Sequence, residues 1–285
     1  MKFLGEKGVR RVLAGIAFSA ISALLLIALF IIKEGLPFII SYGPLKFLFS
    51  SDWQPQAGRF GIWPMIVASV WVTLGAMLLG APLGVACAVF LTEFVPRRVM
   101  GVIKPTIELL AGIPSVVYGF MGVMVLAPLI RSQLGGPGLS VLAGAIILGV
   151  MILPTIISIS IDSIQSVPNS YREGSLALGA THWQTTYMVT VPAAKSGIIA
   201  AIILGMGRAI GETMAVIMVA GNAVKIPISA LDSVRTLTAN IALEMGYATG
   251  QHRQALFATG VVLLVIIMIL NSLAGMAIRK KAGKR

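Results

Sequence analysis

Long apolar runs recur along this chain, separated by polar segments that carry most of its basic residues. We read six of them, at about 12–32, 62–91, 109–130, 139–161, 193–220 and 255–278. The first covers about 31 Å as a helix at about 1.5 Å per residue, close to a hydrocarbon core of about 30 Å. A segment in lipid must satisfy its own backbone hydrogen bonds, so these runs are predicted to be helices. The alternating pattern of a membrane barrel is absent. The expected fold is therefore an all-α integral membrane protein with six transmembrane helices, a single transmembrane domain over 1–285 with its core at about 62–278.

Hydrophobic residues make up 57% of the sequence and charged residues 11%. A soluble globule of 285 residues cannot hide that much apolar surface. The formal charge of +12 would suggest nucleic acid in a soluble protein. Here the cations flank the spans, so they report orientation instead. Fourteen Lys and Arg fall on the side of the N-terminus, the second and fourth loops and the tail, against seven on the other. Both termini are expected in the cytoplasm. The basic start (Lys7, Arg10, Arg11) is expected to lead into a retained first helix, because the apolar run is long for a cleaved signal. Trp53, Phe60 and Trp63, in or beside the external loop at 33–61, are expected to be interfacial aromatics. The long segment 221–254 is expected to hold a re-entrant or surface helix. Cys87, the single cysteine, is expected to be a packing residue.

No phosphate-binding loop of the G-x-x-x-x-G-K-[ST] type occurs, and no Cys/His cluster has metal spacing. His182 and His252 fall on opposite predicted sides. No covalent chemistry, metal or cofactor is expected of this chain. Gly112 and Pro114 weaken the start of the third run and free backbone groups for a bend or a cavity. Pro82 and Pro154 can kink their helices in the same way.

Two segments point to function. The first, at about 168–183, starts at Pro168-Asn169-Ser170 and continues through Arg172, Glu173, Gly174, Ser175 and Gly179 to Trp183. It reads as a short cytosolic helix, with Leu176, Leu178 and Trp183 as apolar contacts and Arg172, Glu173 and Gln184 wet. Gly179 either ends it or admits a close surface. Such a helix docks into a partner's groove or lies on lipid headgroups. The second segment runs from Gly205 to Thr213 and holds Arg208 and Glu212, four apart and so expected on one helix face. A charge at mid-membrane costs roughly 2.5–3.5 kcal/mol on insertion scales, so it normally pairs or lines a pathway. Two readings are open: a self-neutralising ion pair, or an anion site built on the planar donor fork of Arg208.

The first segment resembles the coupling motif of ABC importer permeases, E-A-A-x3-G-x9-I-x-L-P, which falls on Glu173, Gly174, Ser175, Gly179, Val189, Val191 and Pro192. The two alanines are replaced by Gly174 and Ser175, and the apolar pair by valines. The stretch Gly207–Val216, the stretch Leu109–Phe120 and the Trp53–Pro64 region are similar to PstC-type permeases of phosphate importers, and the similarity covers essentially the whole chain. The resemblance implies a type I ABC importer permease fold with a cytoplasmic coupling helix. It implies a multi-pass subunit of a prokaryotic inner membrane, paired with a second related permease and served by a cytoplasmic ATPase dimer and an extracytoplasmic phosphate-binding protein. It places Arg172, Glu173, Gly174, Ser175 and Gly179 at the ATPase contact, and Arg208 and Glu212 on the phosphate pathway. A permease for another oxyanion, molybdate or sulfate, is the nearest alternative. A secondary transporter or channel, in which Arg208 and Glu212 form a gate, is a more distant one.

Overall fold

A computed structural model describes residues 6–282. The terminal cations Lys2, Lys284 and Arg285, used in the charge count, lie outside them. Apart from one two-stranded hairpin, the regular structure among the described residues is helical.

The first helix, α1 (Glu6–Tyr42), runs ten residues past its predicted end and carries Lys33, Glu34 and Pro37 inside it. A short α2 (Pro44–Phe49) and the antiparallel hairpin β1 (Trp53–Gln54) and β2 (Arg59–Phe60) follow. Trp53 and Phe60 do not face outward as a headgroup-contacting belt would. They are 7% and 2% exposed, packed with Phe38, Tyr42 and Phe47 of α1 and α2. The indole N–H of Trp53 donates to Glu244 at 2.9 Å, which a membrane-facing ring would not do. Trp63 remains half-buried, against Phe49.

The core is the pair α3 (Trp63–Glu93) and α7 (Val141–Gln165). Gly80 and Gly84 of α3 let Ile152 and Ile156 approach so closely that a Cβ at either glycine would lie 2.8 Å from their side chains. Between membrane helices, close packing of this kind supplies the association that water supplies elsewhere. Val72, Leu148, Met151, Ile152 and Val216 are essentially sealed in this cluster. Cys87 packs, half-buried, against a second cluster nearer the cytoplasmic end.

The third run does not start at 109. Helix α4 (Arg97–Ala111) ends at Gly112, and α5 (Ser115–Met121) begins after Pro114. Pro114 cannot donate a backbone N–H and restricts Ile113, so the chain turns there. The span then continues through a π turn (Gly122–Leu126) into α6 (Ala127–Leu134).

The fifth run also departs from a simple rod. After α8 (Asn169–Ala177) and α9 (His182–Thr185), the chain passes a π turn and α10 (Val191–Ala193). It bends by 67° into α11 (Lys195–Gly211). It then unwinds at Glu212–Thr213 before α12 (Met214–Val219). Among the described residues, five helices are long and apolar enough to cross a membrane, six with this bent pair counted as one span. The segment 221–254 holds α13 (Leu237–Glu244), as expected, and α14 (Gly250–Ala282) is the last span.

Candidate functional site

Arg208 lies in the last turn of α11 and is half-buried. Its Nη1 donates to Thr155 Oγ1 on α7 at 3.1 Å, and its Nη2 donates to the Ala111 carbonyl at 3.3 Å. That carbonyl belongs to the last residue of α4, where the Gly112–Pro114 break removes helical partners. The break predicted from Gly112 and Pro114 thus supplies the acceptor that holds the arginine.

Glu212 is not on the same helix face as Arg208. Helix α11 stops at Gly211, and Glu212 caps it in extended conformation (φ −69°, ψ 133°). Its Oε1 accepts from the Ala215 amide at 3.2 Å, and its backbone carbonyl accepts from Thr238 Oγ1 at 2.9 Å. A carboxylate there satisfies one of the free amides in the first turn of α12, that of Ala215. No ion pair joins Arg208 to Glu212 among the described residues. The self-neutralising pair is therefore not what the chain forms. The guanidinium is held by two neutral oxygens, and no ion pair to it occurs among the described residues.

A second cluster lies at the coupling segment. Helix α8 ends in a Schellman turn: the Gly179 amide donates to the Leu176 carbonyl at 2.9 Å and the Ala180 amide to the Ser175 carbonyl at 3.2 Å. Gly179 has φ +84° with open space where a Cβ would sit, so it ends the helix. Glu173 and Gly174 are exposed. Ser175 Oγ lies 3.0 Å from Thr185 Oγ1 and ties α8 to α9. The Thr181 side chain and Gln184 form a capping box that starts α9. Tyr171, Leu178, Trp183 and Tyr187 stand open, Leu178 at 90% exposure.

Arg172 is the exception to the predicted wet face. It turns inward, pairs with Glu93 of α3 at 2.9 Å, and donates to the Val167 and Ile164 carbonyls at the end of α7. Burial of the Glu93 side chain (4% exposed) makes this pairing obligatory. Arg172 thus fastens α8 to the two core helices. Sequence reasoning missed both Glu93 and Thr155. Glu93, an acid closing an apolar run, was the available signal for the first. Thr155 stands beside Pro154 in an apolar stretch and gave only a faint one.

The external side is also built around an acid. Glu244 accepts from Trp53, from Arg235 Nη1 at 2.6 Å, and lies 2.8 Å from His252 Nε2. Together these join the hairpin, the segment before α13 and the start of α14. Asp232 accepts from Lys225 and from the Ile228 and Ser229 amides, which hold its carboxyl down at about 2.

The family model described as "Binding-protein-dependent transport system inner membrane component" matches residues 80–282. The chain is 46% identical over 270 residues to the "Probable ABC transporter permease protein YqgH" of Bacillus subtilis, covering 92% of this chain and 87% of that protein. It is 37% identical over 250 residues to the "Phosphate transport system permease protein PstC" of Mesorhizobium japonicum, covering 80% of this chain and 76% of the relative. Among solved structures, it is similar to a chain of a bacterial alginate ABC transporter with TM-score 0.66, at 14% identity over 96% of both chains. A chain of the MetNI methionine transporter matches with TM-score 0.62 at 18% identity, over 80% of this chain and 99% of that one. At such identities the structural likeness speaks for the fold alone.

Proposed function

Because this chain belongs to the family of binding-protein-dependent transport system inner membrane components, and is an ABC importer permease subunit of a bacterial inner membrane rather than an enzyme, we propose that its cargo is inorganic phosphate. The observation that carries this reading is Arg208, a planar cation held by neutral oxygens at a helix break. Relatives named as phosphate transport permeases, at 31–37% identity, support the choice of anion.

In this reading the whole chain acts as one transmembrane domain with its core at about 62–278. It works beside a second related permease, a cytoplasmic ATPase dimer and an external phosphate-binding protein. The binding protein delivers the anion at the external surface. ATP-driven closure of the partner ATPases moves α8 through Glu173, Gly174, Ser175 and Gly179. Arg172 passes that motion to α3 and α7, since it bonds to both. Thr155 lies on α7, so the displacement reaches the group that holds Arg208. Glu212 sets the break that ends α11 and gives Arg208 its place beside the path.

Moving two negative charges inward against about 150 mV costs about 7 kcal/mol, before any concentration gradient. A passive route would run phosphate outward, so a link to ATP is required. The test of the cargo is uptake by the complete transporter in proteoliposomes, with labelled phosphate and with sulfate or molybdate as competitors. Uptake that neither competitor reduces supports phosphate; uptake abolished by molybdate or sulfate assigns the site to that anion.

A further inference from the structure

Helices α4 and α7 are joined by a ladder of polar contacts that leads away from Arg208. Arg208 bridges the Ala111 carbonyl to Thr155 at the top. Ser158 Oγ donates to Glu108 Oε1 at 3.5 Å in the middle. Lys104 pairs with Asp162 at the bottom. The spacing is regular: the top and bottom rungs are seven residues apart on both helices, which is two turns, or about 10 Å. The side chains therefore share one face of each helix.

That face is open as well as polar. Glu108 is exposed, Ser158 is half-buried, and the Lys104 and Asp162 side chains are 29% and 60% exposed. Elsewhere the open surface of the spanning helices carries residues such as Leu24, Leu74 and Leu78. Lys104 and Asp162 lie at the cytoplasmic end of α7, with Glu108 and Ser158 about one turn above them; an exposed carboxylate at that level needs water rather than hydrocarbon beside it. The column also ends beside the coupling cluster, since Lys104 and Arg172 border one cavity with Glu93 and His182.

We propose that this ladder lines the cytoplasmic exit route of the transported anion, with Lys104 as a second and weaker cationic station below Arg208. The inference deepens the phosphate reading and rests on its placing of Arg208 at the pathway. The two stations differ in one respect that matters. Arg208 has no carboxylate partner among the described residues, whereas Lys104 is already paired with Asp162, and Glu108 stands between them. An anion is held firmly at the top and loosely at the bottom. Transport needs that gradient, because a site must bind well enough to fill and weakly enough to empty.

The test uses the complete transporter in inverted membrane vesicles, with Cys87→Ser and Ser158→Cys in this chain. Anionic and cationic methanethiosulfonate reagents are added from the cytoplasmic side, and labelling of this chain is followed by mass. Ser158→Cys reacts, while Leu24→Cys on the apolar surface of α1 does not. Adding Lys104→Gln slows the anionic reagent relative to the cationic one by about fivefold to tenfold, as expected of a lost charge in partly wet surroundings. Adding Asp162→Asn shifts the ratio the opposite way, and Lys104→Arg leaves it unchanged. A purely structural Lys104–Asp162 pair would move both variants in the same direction, which overturns the proposal, as does an unreactive Ser158→Cys in an assembled transporter. Protection of Ser158→Cys by phosphate supports both readings. Protection only by sulfate or molybdate keeps the exit route and removes phosphate as the cargo.

Discussion

Arg208 donates a hydrogen bond to the carbonyl of Ala111, 97 positions away in the chain. Two helix ends are thereby brought together, the last turn of α11 and the terminus of α4, each at a break in the helical chain. The carbonyl is available because Pro114 ends helical bonding there, and the arginine is available because the Glu212 carboxylate takes the Ala215 amide of α12 instead.

Removing the hydroxyl of Thr155 tests how Arg208 is held. Thr155→Val keeps shape and deletes one acceptor. We expect the transport KM for the anion to rise, with ATPase assembly unchanged, because the guanidinium loses about 1.5–3 kcal/mol of charge-assisted hydrogen bonding. Thr155→Ser should restore transport, which a loss of packing alone would not permit.

Gly174 and Gly179 lie in one motif and predict opposite outcomes. Gly174 is inside α8 with open space around its Cβ position. Gly174→Ala should stabilise the helix by about 0.5–1 kcal/mol and leave coupling intact. Gly179→Ala forces a side chain into the left-handed region at a cost of about 1–2 kcal/mol, and should loosen the turn that ends α8. Co-purification of the ATPase and stimulated ATP hydrolysis distinguish the two.

Arg172 and Glu173 are neighbours with different jobs. Arg172→Ala leaves Glu93 buried and unpaired, which should lower stability by about 3–5 kcal/mol. Glu173→Ala, on the exposed face, should stay within about 0.5 kcal/mol and should weaken ATPase coupling. Thermal unfolding in detergent, beside ATPase recovery, separates a fold effect from a docking effect.

The external loop around Asp232 should resist acid. Its carboxyl is held down at about 2, first by Lys225 and then by the Ser229 and Ile228 amides. A depressed value in the fold means the stabilisation is fully present above about 4, the ordinary aspartate range. It is lost as pH falls through about 2. Hydrogen exchange at the Ile228 and Ser229 amides should be slow at pH 4, and Asp232→Asn should speed it at that pH.

Much of this architecture was legible in the sequence because membrane helices announce themselves by length and hydropathy. The coupling helix, the helix inside 221–254 and the break at Gly112–Pro114 all carried local signals. The failures were of three kinds. The unwinding after Gly211 has no proline to mark it, and Glu212–Thr213 interrupts an apolar run without changing its character. Trp53 looks the same in sequence whether it meets headgroups or Glu244, which lies 191 positions on. Arg172 reads as a wet residue of a short helix until Glu93, 79 positions earlier, is seen to need it. Long-range pairing decided each of these, and residue spacing does not encode it.

The central claim is that the charge of Arg208 carries the anion. It is tested most directly by labelled phosphate uptake in cells lacking this chain, rescued with wild type, Arg208→Lys or Arg208→Gln at equal membrane abundance. The account predicts full rescue by wild type, partial rescue by Arg208→Lys, and none by Arg208→Gln. Wild-type uptake with Arg208→Gln would contradict it.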